Sequence, residues 1–454
     1  MTNSLPLRFR SRETARVFAC LRAGDSCQVV GIGSVGKSNF LRFLQQEDVR
    51  RKKLGAGWAS HVFVYVDANK FLEPCEWGLW ELMLHQTLLE LSYRAVDPAL
   101  LEEIDLLHQH SIAPATRHIA LRYLDRAISL VCKNLGLKLV FLFDEFDELY
   151  RTFPSRVFDA MRALRDDNKY RLMYVVATRE ELPHLQNDEE SREAFEELVT
   201  LNTIWLAAYS NADARDTLRR LVSRHKVTLD EKRMQEILKQ TGGHPGLIRT
   251  VFPVVRSGSA VAAESLLMDR QVEEECRRIW QSLADTEQKA LSILVHQKHL
   301  SSIDDATMSQ LKEKGLVGGN GSADDQVFSP LLEKYIYKMK PFEITRLKID
   351  RHKHIIWVDG RQIANVPVLE FKFLDYLERR RGQVCRRDQI AHYLYPNQKL
   401  AGVSMNAIDS IVKRVRKLVE TNPKKPSLIS TIHGVGFRLV DGESTQASKK
   451  SSRR

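Results

Sequence analysis

Short apolar runs alternate with amphipathic stretches over residues 10–208. The apolar runs predict strands over residues 27–30, 61–68, 137–143, 171–177 and 204–208. Helical periodicity fills the intervals, beginning with residues 39–46 directly after the first strand. Strands that are apolar along their whole length and are separated by helices are typical of a parallel sheet covered on both faces. The pattern therefore predicts an α/β domain.

Beyond residue 208 the helical pattern continues and the strands become shorter. Helices are predicted over residues 213–225, 230–240, 272–282, 287–296 and 306–314. Short strands over 315–317 and 326–328 flank Gly318-Gly319-Asn320-Gly321, which is a strong hairpin signal. The last three helices and this hairpin together predict a winged helix.

A second set of short strands and helices begins near residue 346. Strands are predicted over residues 347–349, 354–358, 428–432 and 437–440, and helices over 368–380, 388–394 and 404–420. An Asp359-Gly360 turn follows the second of these strands, and Gly382 ends the first of these helices. This order predicts a second winged helix of α+β class at the end of a multidomain chain.

The helix predicted over residues 404–420 has two different faces. Its apolar face consists of Ile408, Ile411, Val412, Val415 and Val419. Its other face carries Asn406, Asp409, Ser410, Lys413, Arg416 and Lys417. Short polar side chains near the start of a helix suit base edges, and cations further along suit phosphates. We therefore predict that this is a recognition helix for DNA.

The positive charge of the chain is confined to its last quarter. The 454 residues carry a formal net charge of +11. Residues 341–454 hold 23 Lys and Arg against 11 Asp and Glu, so the rest of the chain has a net charge of −1. Residues 271–340, which contain the first winged helix, hold 9 basic and 11 acidic residues. DNA is therefore the expected partner of the last domain, and the first winged helix is expected to be structural.

The apolar runs, the first residues and the cysteines indicate where in the cell the protein is found. No apolar run reaches the length of about 18 residues that a transmembrane helix needs. The first 12 residues lack the apolar centre of a signal peptide. Six scattered cysteines form no C-x-x-C pair, which favours reduced core residues over disulfides or a cysteine zinc site. We expect a cytoplasmic protein that does not enter a membrane.

The first strand runs into Gly31-Ile32-Gly33-Ser34-Val35-Gly36-Lys37-Ser38, which fits the pattern G-x-x-x-x-G-K-[ST]. Between a strand and a helix, this pattern forms a phosphate-binding loop whose backbone N–H groups curl around the phosphates. We expect Lys37 to reach the β- and γ-phosphates and Ser38 to ligate Mg²⁺. Nucleotide contacts are predicted for Gly31, Gly33, Ser34, Val35, Gly36, Lys37, Ser38 and Asn39.

Acidic residues follow the third predicted strand. It closes on Asp144-Glu145, which is the Walker B arrangement. Asp144 is expected to contact the nucleotide-bound Mg²⁺ through water, and Glu145 to orient or deprotonate the attacking water. The fourth strand ends next to Arg179, which we predict to read the γ-phosphate. Lys37, Glu145 and Arg179 are therefore the predicted catalytic residues, and they should meet at the carboxyl ends of the strands.

The turn Thr241-Gly242-Gly243-His244-Pro245-Gly246 completes a resemblance that spans roughly residues 10–340. With the P-loop, Phe143-Asp144-Glu145 and Ala177-Thr178-Arg179-Glu180, it resembles the STAND branch of AAA-related signalling ATPases. The resemblance implies that a Gly-x-Pro motif in a helical lid reads the nucleotide, which makes His244 and Pro245 nucleotide contacts. It also implies a regulatory winged helix packed on the ATPase. The implied domains are an NTPase core over 1–208, a lid over 209–258 and a regulatory winged helix over 259–340.

A second resemblance covers about residues 345–440 and is to the OmpR/PhoB-type winged-helix DNA-binding domain. The matching segments are Leu369-Glu370-Phe371, Gly382-Gln383-Val384, Arg386-Arg387, Ala407-Ile408-Asp409-Ser410, Lys413-Arg414-Val415-Arg416-Lys417 and Thr431-Ile432-His433-Gly434-Val435-Gly436-Phe437-Arg438. In that family the last segment forms the wing beside the minor groove. Pro367 and Leu418 depart from the family pattern, at the entry to the first helix and at a position where lysine is common.

This second resemblance, with the polar face of the 404–420 helix, defines the expected DNA interface. The domain is expected over 341–441, followed by a disordered basic tail over 442–454 with nonspecific affinity for DNA. DNA contacts are predicted for Arg386, Arg387, Ser404, Asn406, Ser410, Lys413, Arg414, Arg416, Lys417, His433 and Arg438.

These features predict a nucleotide-switched DNA-binding protein that regulates transcription. ATP and Mg²⁺ are the expected cofactors and double-stranded DNA the expected partner, with nucleotide-dependent self-association and contact with RNA polymerase as further hypotheses. Any ATP hydrolysis is expected to be slow and to reset the switch. A DNA-remodelling or loading ATPase and a STAND-type defence sensor remain open as alternatives. The sequence assigns no role to residues 71–120.

Overall fold

The computed structural model describes residues 5–71, 73, 75–185, 193–297, 303–318, 325–339, 347–351, 353–358, 361–363, 365–396, 405–420, 422–423 and 426–440. The chain divides into two compact units, Met1–Lys340 and Pro341–Arg454. Each unit has its own hydrophobic core. The predicted tail over 442–454, the turn residues 319–321 and Ser404 lie outside the described residues, and the finer domain boundaries stay predictions.

A parallel sheet organises the first unit, as the apolar runs predicted. Its strands are β1 Cys27–Val30, β2 His61–Asp67, β3 Lys138–Asp144, β4 Leu172–Thr178 and β5 Thr203–Trp205. Their order is β2-β3-β4-β1-β5, and every pairing is parallel. The prediction of β5 over 204–208 was too long, because pairing with β1 ends as Leu206 N–H donates to Val30 O. Strands β1 and β4 are buried along their whole length.

Nine described helices surround this sheet. They are α1 Ser11–Ala23, α2 Lys37–Gln45, α3 Glu47–Leu54, α4 Glu76–Ser92, α5 Pro98–Ile112, α6 Ala120–Ser129, α7 Phe146–Thr152, α8 Ser155–Asp167 and α9 Glu193–Thr200. Short 3-10 segments cover Gly55–Ser60, Ala68–Lys70, Arg117–Ile119 and Leu182–His184, and a π-helical turn covers Leu130–Asn134. Fully buried aromatic side chains such as Phe141, Phe143 and Tyr174 fill the core against these helices. The segment without an assigned role is thus mainly the helix pair α4 and α5, inserted between β2 and β3.

The rest of the first unit contains the segments predicted to be a lid and a first winged helix, and these names are kept for them below. Its elements are α10 Asn211–Arg224, α11 Glu231–Thr241, α12 Pro245–Arg256, α13 Ala263–Leu266, α14 Arg270–Gln281, α15 Asp285–Gln297, α16 Asp305–Glu313, β6 Val317–Gly318, β7 Gln326–Val327 and α17 Pro330–Lys338. Strands β6 and β7 pair antiparallel, as the hairpin signal predicted. Helix α17 was not predicted, although Ser329 caps it and Pro330 occupies its first turn, which is a recognisable start signal.

The first winged helix packs on the rest of its unit. Ser329 Oγ donates to Gln240 O of the lid at 2.7 Å. A Cβ atom on Gly315 would lie 2.5 Å from the Cβ of Ala207, next to β5. A Cβ on Gly242 would lie 2.2 Å from Phe328 O, which follows β7. Such close backbone approach leaves no room for a side chain, so these glycines allow the winged helix to sit against both lid and core.

The second unit has two small antiparallel sheets and three described helices. Its elements are β8 Leu347–Asp350, β9 Ile355–Val358, β10 Arg361–Ile363, α18 Val368–Glu378, β11 Cys385–Arg386, α19 Arg387–Leu394, α20 Met405–Val419, β12 Ile429–Ile432 and β13 Gly436–Leu439. The sheet orders are β10-β9-β8 and β11-β13-β12. Helix α18 begins directly after Pro367, as predicted, and ends two residues before the predicted end at Arg380. Within the described part of the chain, no helix is long and apolar enough to cross a membrane.

Candidate nucleotide site and nucleic-acid interface

The loop between β1 and α2 has the backbone of a phosphate cradle. Gly36 has a φ of 95° and Ser34 a φ of 57°, both in the left-handed region. A Cβ on Gly36 would also lie 3.0 Å from the Tyr209 hydroxyl oxygen, so the position requires glycine. Helix α2 begins at Lys37, and the N–H groups of its first turn have no acceptor within the helix. They are therefore available to an anion in the loop.

Lys37 lies inside this loop and is 7% exposed. Its Nζ donates to the backbone oxygens of Gly31 at 2.7 Å and of Ile32 at 3.4 Å. Burial lowers the pKa of Lys37, and the nearby carboxylates of Asp147 and Glu145 act in the opposite direction. A buried ammonium with neutral carbonyl partners, beside unpaired helix amides, fits a phosphate chain.

The predicted acidic residues lie at the end of β3, which β4 separates from β1 in the sheet. Asp144 ends β3 and accepts a hydrogen bond from Tyr65 Oη at 2.5 Å. Glu145 follows with a φ of 52°, a strained conformation of the kind that occurs at functional sites. Arg179 Nη2 lies 3.2 Å from Glu145 Oε2, and its backbone N–H donates to Asp147 Oδ1 at 2.7 Å. The structure thus brings the predicted sensor arginine onto the predicted catalytic carboxylate.

The donor set fits a magnesium nucleotide. Ser38 follows Lys37 at the start of α2, and Asp144 ends the neighbouring element β3. Hydroxyl and carboxylate oxygens are the ligands that Mg²⁺ prefers. Ser38 would hold the ion directly and Asp144 through water, while Lys37 and the loop amides would hold the phosphates. Tyr65 and Asp147 were missed by the sequence reasoning, because nothing in their local pattern distinguishes them from ordinary strand and helix residues.

His244 of the lid contacts the same loop. It is fully buried, and burial lowers its pKa to about 3, so the ring is neutral near pH 7. A neutral imidazole has one N–H donor and one acceptor. The Leu247 N–H donates to Nδ1 at 3.3 Å, which leaves Nε2–H to donate to Gly33 O at 3.1 Å. His244 therefore holds the backbone of the phosphate loop, and its predicted contact with the nucleotide itself stays a prediction.

Two side chains that the sequence reasoning missed hold the loop from further away along the chain. Ser282, just beyond α14, accepts a hydrogen bond from the Gly33 N–H at 2.9 Å across 249 residues. Arg10, before α1, is 2% exposed and donates to Val35 O and to Ala207 O, both at 2.9 Å. Its guanidinium also lies 4.8 Å from the ring centroid of Tyr209. No local motif marks these residues, because their contacts exist only once the chain is folded.

In the second unit, α20 has the two faces that its sequence predicted. Its apolar stripe of Ile408, Ile411, Val412, Val415 and Val419 is at most 4% exposed. Lys413 and Lys417 are exposed on the opposite side. A cavity of about 640 Å³ lies between the helix and the closing hairpin. It is lined by Arg387, Asp409, Val412, Lys413, Arg416, Lys417, Asn422, Pro423, Thr431 and Phe437. Cations and a groove thus share one face of this unit.

Two of the predicted DNA-contacting arginines are engaged within the domain. Arg416 Nη2 donates to Ile429 O and to Thr431 Oγ1, both at 2.7 Å, and so ties α20 to β12. Arg414 Nε lies 2.5 Å from Glu370 Oε1 of α18. These contacts orient α20 on the two elements beside it. DNA contact by either arginine stays a prediction.

Among the other predicted positions, Arg387 lines the groove. Arg387 Nη2 lies 3.2 Å from Asp409 Oδ1, and its guanidinium stacks 4.7 Å from the ring centroid of Phe437. Arg386 and His433 are exposed, and Arg438 is half-buried on β13. Ser410 is exposed on α20. Ser404 and the side chain of Asn406 lie outside the described residues, so their predicted base contacts stay predictions.

Glu420 was also missed, and it anchors the closing hairpin. Its carboxylate accepts hydrogen bonds from the backbone N–H groups of Ser427, Leu428 and Ile429, at 2.8 to 3.1 Å. Charge-assisted hydrogen bonds of this kind are the strong ones. The end of α20 and the start of β12 are therefore held together by one buried carboxylate.

Comparison with known proteins agrees with this geometry for the second unit. Residues 361–439 match the family model described as "Transcriptional regulatory protein, C terminal". The sensory transduction protein RegX3 of Mycobacterium leprae is 31% identical to this chain over 93 residues, which are 20% of this chain and 46% of RegX3. The chain therefore spans less than half the length of this curated relative.

Solved structures resemble each unit at low identity. The Walker-type ATPase PABY2304 of Pyrococcus abyssi is 14% identical, with 72% of this chain and 95% of that chain covered and a TM-score of 0.46. The DNA-binding domain of RstA from Klebsiella pneumoniae, solved with the RstA box, is 24% identical, with 21% of this chain and 90% of that chain covered and a TM-score of 0.19. The assignment of the first unit rests on its own strand order and phosphate loop.

Sheet order, phosphate loop and acidic strand end define the first unit as a parallel α/β domain of the P-loop ATPase kind. The second unit is an OmpR/PhoB-type winged-helix DNA-binding domain. The chain is thus a fusion of these two classes.

Proposed function

We propose that this protein is an ATP-dependent switch that regulates transcription by binding duplex DNA through its second unit. The observation that carries the proposal is the position of Gly33. Its carbonyl is held by the lid residue His244, and its N–H by Ser282 of the first winged helix. The phosphate loop therefore contacts both the lid and the first winged helix, which could transmit whether nucleotide is bound. The same chain also carries a DNA-binding domain.

A single N–H group links nucleotide binding to α14. The Gly33 N–H cannot serve both the Ser282 hydroxyl and a phosphate oxygen in the same geometry. Ser282 would therefore lose its hydrogen bond when the loop is filled, and Lys37 would turn from Gly31 O toward the phosphates. The lid and the first winged helix would shift with these contacts, and their placement would set the availability or the pairing of the DNA-binding units.

Bound ATP supplies the phosphoryl group, and Ser38 and Asp144 would hold its Mg²⁺. Glu145 would orient or deprotonate the attacking water, and Arg179, 3.2 Å from Glu145, would respond to the γ-phosphate. Turnover is expected to be slow, because its role would be to reset the switch. Glu145→Gln should lower the hydrolysis rate by about 10²-fold or more while nucleotide still binds. Hydrolysis at the wild-type rate in this variant would remove Glu145 from the catalytic role.

The proposal extends to where the protein acts and to its partners. We expect the protein to act in the cytoplasm, to self-associate in a nucleotide-dependent manner and to contact RNA polymerase when bound to DNA. DNA binding should weaken steeply with salt, because phosphate contacts release counterions.

The decisive experiment compares DNA retention in two nucleotide states. Purified protein is incubated with fragmented genomic DNA in ATP–Mg²⁺ and in ADP–Mg²⁺, and the retained fragments are sequenced. Discrete duplex sites whose occupancy differs between the two nucleotides are the expected result. Sequence-independent retention with DNA-stimulated hydrolysis would instead favour a DNA-remodelling or loading ATPase.

A further inference from the structure

Three potential metal ligands meet between helices α4 and α5, away from the residues that form the phosphate loop. Glu81 and His85 are four residues apart on α4, so they lie on one face of that helix. His108 lies on α5, and its Nε2 is 2.8 Å from Glu81 Oε1. One ligand atom from each of the three side chains lies within 4.8 Å of those of the other two. The insertion between β2 and β3 thus brings two imidazoles and a carboxylate together.

Buried apolar residues lie near these side chains along α4 and α5. Leu82, Met83, Leu84 and Ile104 are at most 3% exposed. Glu81 itself is 4% exposed, which is unusual for a carboxylate unless it is paired or bound to a metal. His85 and His108 are half-buried, so the cluster lies where this apolar core meets solvent.

The hydrogen bond between Glu81 and His108 accounts for only part of this arrangement. The Nδ1 atom of His85 is buried and has no hydrogen-bond partner among the described residues. The His85 and His108 rings lie with their centroids 4.9 Å apart and their planes at 34°. A buried ring nitrogen that has no partner, in a histidine whose ring lies beside a hydrogen-bonded Glu–His pair, makes His85 a candidate third metal ligand.

We propose that Glu81, His85 and His108 bind one divalent transition-metal ion of the Zn²⁺ class. Two imidazole nitrogens and one carboxylate oxygen form a ligand set that Zn²⁺ uses, with a further position open to water. Ligands at the usual Zn–N and Zn–O distances of about 2.0–2.2 Å are closer together than 4.8 Å, so only small side-chain shifts are needed. The ion clamps α4 to α5 and gives the insertion a metal-dependent stability.

The test uses the full chain after removal of metal by a chelator. Zn²⁺ alone is titrated against a chromophoric chelator for the wild type, His85→Gln and Glu81→Gln, with thermal melting measured in parallel. His118→Gln is the matched control, because His118 is exposed in the same insertion. The wild type should bind one Zn²⁺ equivalent whose affinity falls at least about tenfold in both ligand variants. Zn²⁺ should raise the melting temperature of the wild type and of the control, but not of the ligand variants.

The outcomes separate the possible explanations. Wild-type Zn²⁺ affinity and stoichiometry in His85→Gln and Glu81→Gln would overturn the proposal, as would a wild type that binds no Zn²⁺. Glu81→Gln keeps the size of the side chain, and melting without Zn²⁺ identifies any variant that is unfolded. Mg²⁺ should not compete, because imidazole is a poor ligand for a hard ion, and effective competition by Mg²⁺ would contradict a Zn²⁺-class site.

Discussion

The predicted first winged helix and the second winged helix both contain three helices followed by a two-stranded hairpin, and they differ in what surrounds these elements. The first, residues 270–338, is nearly neutral and makes contacts through Gly315 and Ser329 with the core and lid of its own unit. It even buries an ion pair, with Lys314 Nζ 2.5 Å from Glu287 Oε1 and both side chains at most 5% exposed. The second carries exposed lysines on α20 beside a groove.

We therefore expect that a winged-helix fold does not by itself specify DNA binding. Function depends on which charges the fold displays and on which faces are already covered. Ser282, at the end of α14 in the first winged helix, is hydrogen-bonded to the phosphate loop. In the second winged helix, by contrast, the side chains of Lys413 and Lys417 are exposed on the surface. One module is therefore suited to regulation and the other to recognition.

Removing the P-loop lysine should weaken nucleotide binding by the first unit and leave DNA binding by the second unit unchanged. Lys37→Ala should lower nucleotide affinity by about two orders of magnitude, because it removes charge-assisted hydrogen bonds to phosphate. Titration with a fluorescent ATP analogue measures the loss, and Lys52→Ala, an exposed lysine on α3, is the control. DNA binding measured without nucleotide should be unchanged. Wild-type nucleotide affinity in Lys37→Ala would contradict the P-loop assignment.

Acid should weaken the contact between lid and phosphate loop. The pKa of His244 is about 3 in the folded protein and about 6.5 when unfolded, so the unfolded state binds the extra proton between these values. Stability contributed by His244 is therefore present above pH 6.5 and falls as pH decreases, by up to about 1.4 kcal/mol per pH unit. Melting curves at pH 7 and pH 5 should show a smaller shift for His244→Gln than for the wild type. Equal shifts would show that His244 is not the group responsible.

Single lysine changes should distinguish the two winged helices on DNA. Lys417→Ala should reduce affinity severalfold and lower the slope of log K against log salt by about 1, since one phosphate contact is lost. Lys338→Ala, an exposed lysine of the first winged helix, should change neither quantity. Fluorescence anisotropy at several salt concentrations measures both. Equal effects of the two substitutions would mean that both modules contact DNA.

A substitution at Ser282 tests whether the first winged helix opposes nucleotide binding, and we expect its effect to be small. Ser282→Ala removes the acceptor that competes for the Gly33 N–H, so nucleotide should bind about two- to tenfold more tightly, in line with about 1 kcal/mol for one hydrogen bond. Ser265→Ala removes an exposed hydroxyl on α13 and serves as the control. Isothermal titration with ATP–Mg²⁺ measures the difference. A lower affinity in Ser282→Ala would show that this hydroxyl supports nucleotide binding and does not oppose it.

Local sequence patterns predicted the parts of the fold that depend on near neighbours. The five apolar runs of the first unit became its five described parallel strands, and the apolar stripe of α20 is buried as its spacing required. The limits of elements were less accurate, as in β5 and α18, because a strand or helix ends where its hydrogen-bond partners end. Helix α17 escaped notice although Ser329 and Pro330 mark its start.

Short stretches of the sequence were enough to predict the chemistry of this protein. The phosphate-loop pattern, the acidic end of β3 and the cationic face of α20 each occupy a short stretch whose spacing and residue types dictate what it can bind. How these parts are held in place became visible only in the folded chain. Arg10 and Ser282 reach one loop from opposite ends of the first unit, and Glu81, His85 and His108 meet only because α4 packs on α5. Contacts between residues far apart along the chain produce no local sequence pattern, because they depend on how the helices and strands pack together.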